Sequence, residues 1–225
     1  MTENISTPIL SIETSGEVCG ASVYFEMNNY FEVIINKKNV HSEKIFEVID
    51  RVLKLSGIKL NEVEAIAVSS GPGSFTGLRI GMSAAKGLAY GSHKPIIPVP
   101  TFEALALQLS FFIPFNAKFT ICNKVNNNEV YLGGFISLEN NYKIVDNIRV
   151  VKYDQIVKNL KNTDLIFGNA KVGDEYHQIH KNVTVPSPIY VAKWAYLFGK
   201  DLLTFNYDFL EPDYLKNFIV RQNYE

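Results

Sequence analysis

Both halves of this chain spell the same order of hydrophobic periods, and that duplication constrains the fold more than any single motif. In the first half, PILSIE (8–13), VCGASVYF (18–25) and YFEVIIN (30–36) are short β-rich runs parted by the turn formers TSGE and MNN. The period then becomes helical, with Ile45, Val48, Ile49, Val52, Leu53 and Leu55 recurring in SEKIFEVIDRVLKLSG; Ser42 is the expected N-cap and Gly57 the expected stop. VEAIAVSS (63–70) returns to strand, a glycine-rich loop and helix follow, then the strand IIPV (96–99) and the helix TFEALALQLS (101–110), for which Thr101 is the candidate cap. After Pro114 the order restarts. AKFTICN (117–123), EVYLGGFISL (129–138) and YKIVDNIRVV (142–151) read as strands joined by Asn-rich turns. A helix around 153–161, a strand DLIFG (164–168) and further helices complete it. Of these, SPIYVAKWAYLFGKDLL (187–203) is the strongest, with Ser187 as cap and Pro188 at the first helical position. Strand, strand, strand, helix, strand, helix, twice over, implies two similar α/β lobes with a boundary near 100–116.

Composition narrows the function classes. A chain of 225 residues that is 47% hydrophobic can bury a sizeable core as one large domain or two small ones. With 22 basic against 23 acidic residues and no block of like charge, no phosphate-backbone face is advertised. Cys19 and Cys122 are far apart in sequence and are expected to be buried, reduced thiols. The N-terminus lacks the basic lead and apolar run of a signal peptide, and no stretch approaches the ~20 apolar residues that span a bilayer. A cytoplasmic protein with no membrane partner is expected.

The segment SSGPGSFTGLRIGMSAAKGLAYG (69–91) holds six of the 14 glycines. It is not a phosphate loop. No glycine in it has a second glycine five residues on followed by Lys and Ser or Thr, and Thr76 stands where a dinucleotide fingerprint needs its third glycine. Pro72 also removes a backbone donor from the turn. Glycine inside a helix costs about 1 kcal/mol relative to alanine, yet Gly77 and Gly81 share a face with Ala84, Ala85 and Leu88 at three- and four-residue spacing. Two readings stay open: the trimmed face packs closely on the chain's own sheet, or part of it, with the loop before it, meets a partner. Thr76 is the candidate cap, and Arg79 and Lys86 fall toward the polar side.

ILSIETSGEVCGASV, HSEKIFEVI, AIAVSSGPGSFTGLRIGMSAAKGLA, EVYLGGF and EPDYLKN together, in this order, resemble the TsaB (YeaZ) family. The similarity is close over residues 8–107 and rests in the second half on EVY and PDYLK, with GPGSFTGLRIG its most specific element. The resemblance implies an actin-like (ASKHA, duplicated RNase H-like) two-lobed α/β fold, with lobes at 1–105 and 106–225, the second smaller and more divergent. It also implies a role in N6-threonylcarbamoylation of tRNA adenosine 37. There a synthase makes threonylcarbamoyl-adenylate, the paralogous TsaD transfers the group, TsaB is TsaD's non-catalytic companion, and the ATPase TsaE joins them.

The residues agree with a member that does no chemistry. TsaD-like proteins carry a metal through His-x-x-x-His, which places two imidazoles one helical turn apart; here His41 matches the first and Ile45 stands at the second. No metal and no cofactor is therefore expected. His177 and His180, near Asp174 and Glu175, read as surface residues, and His93 lies in a loop. SSGPGSFTG lacks the Gly-x-Ser-x-Gly order of a hydrolase elbow. The alternative is an ATP-binding enzyme of the same fold, an ATPase or kinase or an M22-type glycoprotease-like metallopeptidase. ETSGE (13–17) occupies the position of a first phosphate hairpin, with Glu13 where a metal-bridging acid often sits. Where relatives read DARRGEVY, this chain has KVNNNEVY (124–131), so Lys124, Asn126 and Asn127 weaken any case for direct tRNA contact. Lys216 replaces a usual Arg and loses its planar fork. The expected partner-binding residues are His41, Ser42, Glu43, Phe75, Thr76, Gly77, Arg79 and Gly81, on two helices that pair with equivalents on TsaD, or with a second copy in a homodimer; tRNA is met only through the complex.

Overall fold

The mostly apolar run ILSIE forms β1 (Ile9–Glu13), and every position of the strand is buried because it lies in the middle of its sheet with helices on both faces. The computed structural model describes residues 5–160, 165–172, 178–180 and 183–215. β2 (Val18–Glu26) and β3 (Asn29–Asn36) pair antiparallel beside β1, while β4 (Ala65–Gly71) and β5 (Ile96–Pro100) pair parallel on its other side. The order is β3-β2-β1-β4-β5. The second sheet repeats it. β6 (Lys118–Lys124) has β7 (Glu129–Leu138) and β8 (Asn141–Lys152) antiparallel on one side, and β9 (Leu165–Phe167) and β10 (Gln178–His180) parallel on the other. The duplicated element order is thus a duplicated topology, the two-lobed actin-like α/β arrangement.

Helix α1 (His41–Ser56) and α2 (Phe75–Ser92) cover one face of the first sheet, where Ile45, Val48, Ile49 and Val52 meet Leu10, Ile12 and Val68. Leu55, though apolar, is exposed, and so is Phe46. The other face of the sheet, carrying Ile9, Ala65 and Ala67, is covered by α3 (Thr101–Ser110) and α5 (Pro188–Phe198). Helix α3 divides its sides between the lobes: Ala104 and Leu107 face the first sheet, Phe102, Leu105 and Leu109 the second, where Phe119, Phe135 and Phe167 wait. Fully burying each of these rings stabilises the fold by about 1.5–3 kcal/mol. The far side of the second sheet packs on the short α4 (Ile156–Asn159) through Cys122, Leu132, Ile156 and Ile166. Across the junction, the Tyr142 hydroxyl of β8 donates to Glu103 Oε2 of α3 at 2.5 Å and accepts from Trp194 Nε1 of α5 at 2.8 Å. Burial and the neighbouring Glu103 carboxylate push this phenol far above its ordinary range, so it stays a donor.

Several local expectations are corrected. Gly57 does end α1 in a left-handed conformation, but the N-cap is Val40, not Ser42. Its carbonyl accepts from the amides of Glu43 and Lys44, and His41 is drawn inward at the helix start. Thr101 does not cap α3: its hydroxyl accepts from the Gly71 amide at 3.1 Å. Ser187 does stand at the N-cap position of α5 with Pro188 behind it, yet its hydroxyl donates to Glu32 at 2.5 Å instead of capping. The α-helix ends at Phe198, short of 203: the Gly199 amide still donates to the Ala195 carbonyl at 2.9 Å, and the chain then tightens into a 3-10 turn over Lys200–Leu202. Between β9 and α5 the chain forms β10 where further helices were expected; His177 lies outside the described residues, and His180 ends that strand. Cys19 and Cys122 are free and buried, and burial pushes their thiols up to about 11 and about 12. Among the described residues, no helix is long and apolar enough to cross a membrane.

Candidate functional site

Two concavities meet at the start of α2. The first is a cleft of about 730 Å³ between the lobes, lined from one side by Ser15, Gly16, Gly73 and Ser74 and from the other by Asn123, Lys124 and Tyr131. The second is a surface groove of about 480 Å³ between α1 and α2, lined by Ser42, Ile45, Phe46, Phe75, Thr76, Arg79, Ile80, Ser83 and Ala84. Ser42, Phe75, Thr76 and Ile80 border both.

The entry of α2 is fixed from below. The Ser74 amide donates to the Ser15 carbonyl at 2.7 Å, which ties the glycine loop to the β1–β2 turn. Ser74, not Thr76, then caps the helix, its hydroxyl accepting from the Gly77 amide at 3.3 Å. Thr76 is exposed on the first turn. The glycine face resolves with it. A Cβ on Gly77 would lie 2.0 Å from the Thr14 carbonyl oxygen, and one on Gly81 would lie 2.2 Å from Thr14 Oγ1. The Thr14 hydroxyl itself donates to the Gly77 carbonyl at 2.8 Å. Gly77 and Gly81 are therefore bare because the chain's own β1–β2 turn fills the space, and neither can touch a partner. Leu78, Ala84 and Ala85 are buried beside them.

The other expected residues separate in the same way. His41 is buried, its Nε2 3.0 Å from the Val18 carbonyl, and Ile45 one turn on is core. Ser42, Thr76 and Arg79 are exposed, Phe75 is half-buried, and these four line the groove between the helices; Glu43 is exposed too but does not line it. Phe46 joins them at 59% exposed. Sequence periodicity had no reason to single it out, although an aromatic one place off the core stripe was the available signal. The Arg79 guanidinium lies 3.9 Å from the Phe75 ring centroid, a cation–π contact on the open surface.

Glu13 is not poised over the cleft. Its side chain is fully buried, accepting from the Ser15 amide and hydroxyl at 2.5 Å each and from the Ser69 hydroxyl. Burial raises its carboxyl from 4.5 to about 7 against those lowering hydrogen bonds. Its geometry is that of a turn-locking acid. Across the cleft, Asn126 Nδ2 donates to Glu129 Oε2 at 2.7 Å, so the KVNNNEVY turn is braced internally. Lys216 lies outside the described residues. Among the described residues, no group of three or more His, Cys, Asp or Glu converges as a metal site would.

The sequence model of the TsaD family, described as tRNA N6-adenosine threonylcarbamoyltransferase, matches residues 32–197. The tRNA threonylcarbamoyladenosine biosynthesis protein TsaB of Haemophilus influenzae is 28% identical, over 93% of this chain and 93% of its own length. The protein of that name from Escherichia coli is 37% identical over 44% of this chain and 42% of its own. A solved structure of YeaZ from Pseudomonas aeruginosa superposes with a TM-score of 0.77, covering 92% of this chain and 99% of that one; at 18% identity it speaks for the fold alone.

Proposed function

The chain belongs to the TsaD family, within which it groups with the TsaB/YeaZ proteins, and on that premise we propose that it is the non-catalytic partner subunit that binds and activates the TsaD transferase. The pathway is tRNA threonylcarbamoyladenosine biosynthesis, and the modified position in this reading is adenosine 37. The observation that carries the proposal is the groove between α1 and α2. It joins an exposed aromatic, Phe46, to an arginine held against a second aromatic, Phe75, and these residue types dominate the energetics of protein interfaces. Ser42, Glu43, Phe75, Thr76 and Arg79 form the contact with Phe46, while His41, Gly77 and Gly81 support it from beneath. A pair of helices from TsaD completes a four-helix contact, and TsaE joins the pair. Alone, the same face pairs with a second copy, and tRNA is met through the complex.

The supporting experiment is titration of the purified chain with TsaD from the same cell. A stable complex is expected, and Phe46→Asp weakens it by about 30-fold or more, the loss typical of an interface hot spot worth about 2 kcal/mol. Absence of any complex overturns the proposal. The interlobe cleft gives the alternative its one foothold, an ATP-binding enzyme of this fold. Under the proposal the chain alone turns over no ATP with magnesium above background, and clear hydrolysis would reverse the ranking.

A further inference from the structure

The end of the described chain, Glu211–Leu215, runs as a strap over the place where cleft and groove meet. Its first anchor is on the first lobe: the Asp213 amide donates to the Ser70 carbonyl at the end of β4, at 2.7 Å. Gly71 makes this seat. At φ +122 it has the backbone that glycine favours, and a Cβ there would lie 2.0 Å from the Asp213 carbonyl oxygen. A second anchor comes from the other lobe, where the buried Tyr131 hydroxyl of β7 donates to the Tyr214 carbonyl at 3.1 Å. The third lies on the docking face. The Tyr214 ring packs 4.9 Å from the Phe75 centroid, and its hydroxyl accepts from Arg79 Nε at 3.0 Å. One short segment thus touches the second lobe through its backbone and the first turn of α2 through its side chain.

We infer that this strap couples the two lobes to the docking face, with Tyr214 as the positioning residue that lets the second lobe set the placement of Phe75 and Arg79. Tyr131 also lines the interlobe cleft. Movement of that wall therefore reaches the groove through Tyr214, and occupancy of the cleft and partner binding become linked equilibria. The inference rests on the docking reading above for its functional consequence, but its structural half stands without a partner.

Two measurements keep the two apart. In the isolated protein, amide exchange over residues 72–80 is compared among the parent, Tyr131→Phe, Tyr214→Phe and Tyr214→Ala. Tyr131→Phe removes one hydrogen bond and is expected to speed exchange about fivefold. Tyr214→Ala speeds it about tenfold or more, and Tyr214→Phe, which keeps the ring on Phe75, recovers part of the loss. Unchanged exchange in Tyr131→Phe and Tyr214→Ala overturns the inference whatever TsaD does. In the second measurement, TsaD affinity should fall about fivefold to tenfold in Tyr214→Ala and recover in part in Tyr214→Phe. Normal TsaD binding by Tyr214→Ala also overturns the coupling, whereas failure of the parent to bind overturns the docking reading and leaves the exchange result to decide the strap.

Discussion

Helix α2 has two sides with opposite characters. Toward the β1–β2 turn it is closed: Gly77 and Gly81 meet the backbone and hydroxyl of Thr14 with no room for a methyl group, and Glu13 and Ser15 lock the turn that presses against them. Toward α1 it is open, with Phe46, Thr76 and Arg79 exposed along a groove. Further along the same helix, Gly87 and Gly91 have nothing within 4 Å of where a Cβ would be. Glycines that look alike in sequence thus do different things. The trimmed face shapes the fold, and the neighbouring untrimmed face is left open.

The largest test breaks the closed side. Gly81→Arg has to drive a side chain into Thr14 and is expected to destabilise the protein by at least about 3 kcal/mol or prevent folding, read from urea unfolding. It is therefore no selective probe of partner binding. A folded, monomeric Gly81→Arg protein of parental stability would show that this side is open after all.

The turn beneath the helix answers to pH. The unfolded chain releases the Glu13 proton near 4.5 and the folded protein only near 7. Between those values the folded state holds the extra proton, so this group's contribution is most favourable at the acid end and is lost as pH rises from about 4.5 to about 7. The gap corresponds to about 3 kcal/mol. Glu13→Gln should remove that slope, seen by comparing the variant with its parent in urea at about pH 5 and about pH 8. Parallel curves for the two proteins would mean that the carboxylate is solvated and the turn looser than described.

The open side gives smaller stability effects. Phe46→Asp, which is aimed at TsaD binding, should shift unfolding by no more than about 0.5 kcal/mol. Gly87→Ala should raise stability by about 0.5–1 kcal/mol, since it removes unfolded-state freedom at a helical position with open space. A destabilised Gly87→Ala would extend the closed side farther along α2 than the contacts place it.

Strands and helices were legible because each is written locally: short β-rich apolar runs bounded by turn formers for the strands, and a 3.6-residue period for α1, whose Ile45, Val48, Ile49 and Val52 are buried as their spacing requires. Caps were not. Ser74 and Thr76 are equally good capping residues by type, and the choice fell to Ser74 when its amide was fixed by the Ser15 carbonyl. Thr101 lost its capping role to the Gly71 amide, and Ser187 to Glu32, 155 residues away. The site was half legible for the same reason. Ser42, Phe75, Thr76 and Arg79 do line the groove, but Glu43 is exposed outside its lining, His41, Gly77 and Gly81 point inward, and Phe46 and Tyr214 were not singled out.

By itself the sequence determined that this chain folds as two related α/β lobes, that α1 and α2 follow β3 and β4, and that a bare stripe runs along α2. Local apolar runs, helical spacing and turn formers are sufficient for each of these. Only the tertiary structure decided what the stripe faces. Thr14 lies 63 residues from Gly77, and Tyr214 lies 135 from Arg79. No local period carries information across such separations; it is the packing of the sheet, the turn and the strap that brings these groups together and turns one side of a helix into core and the other into a surface.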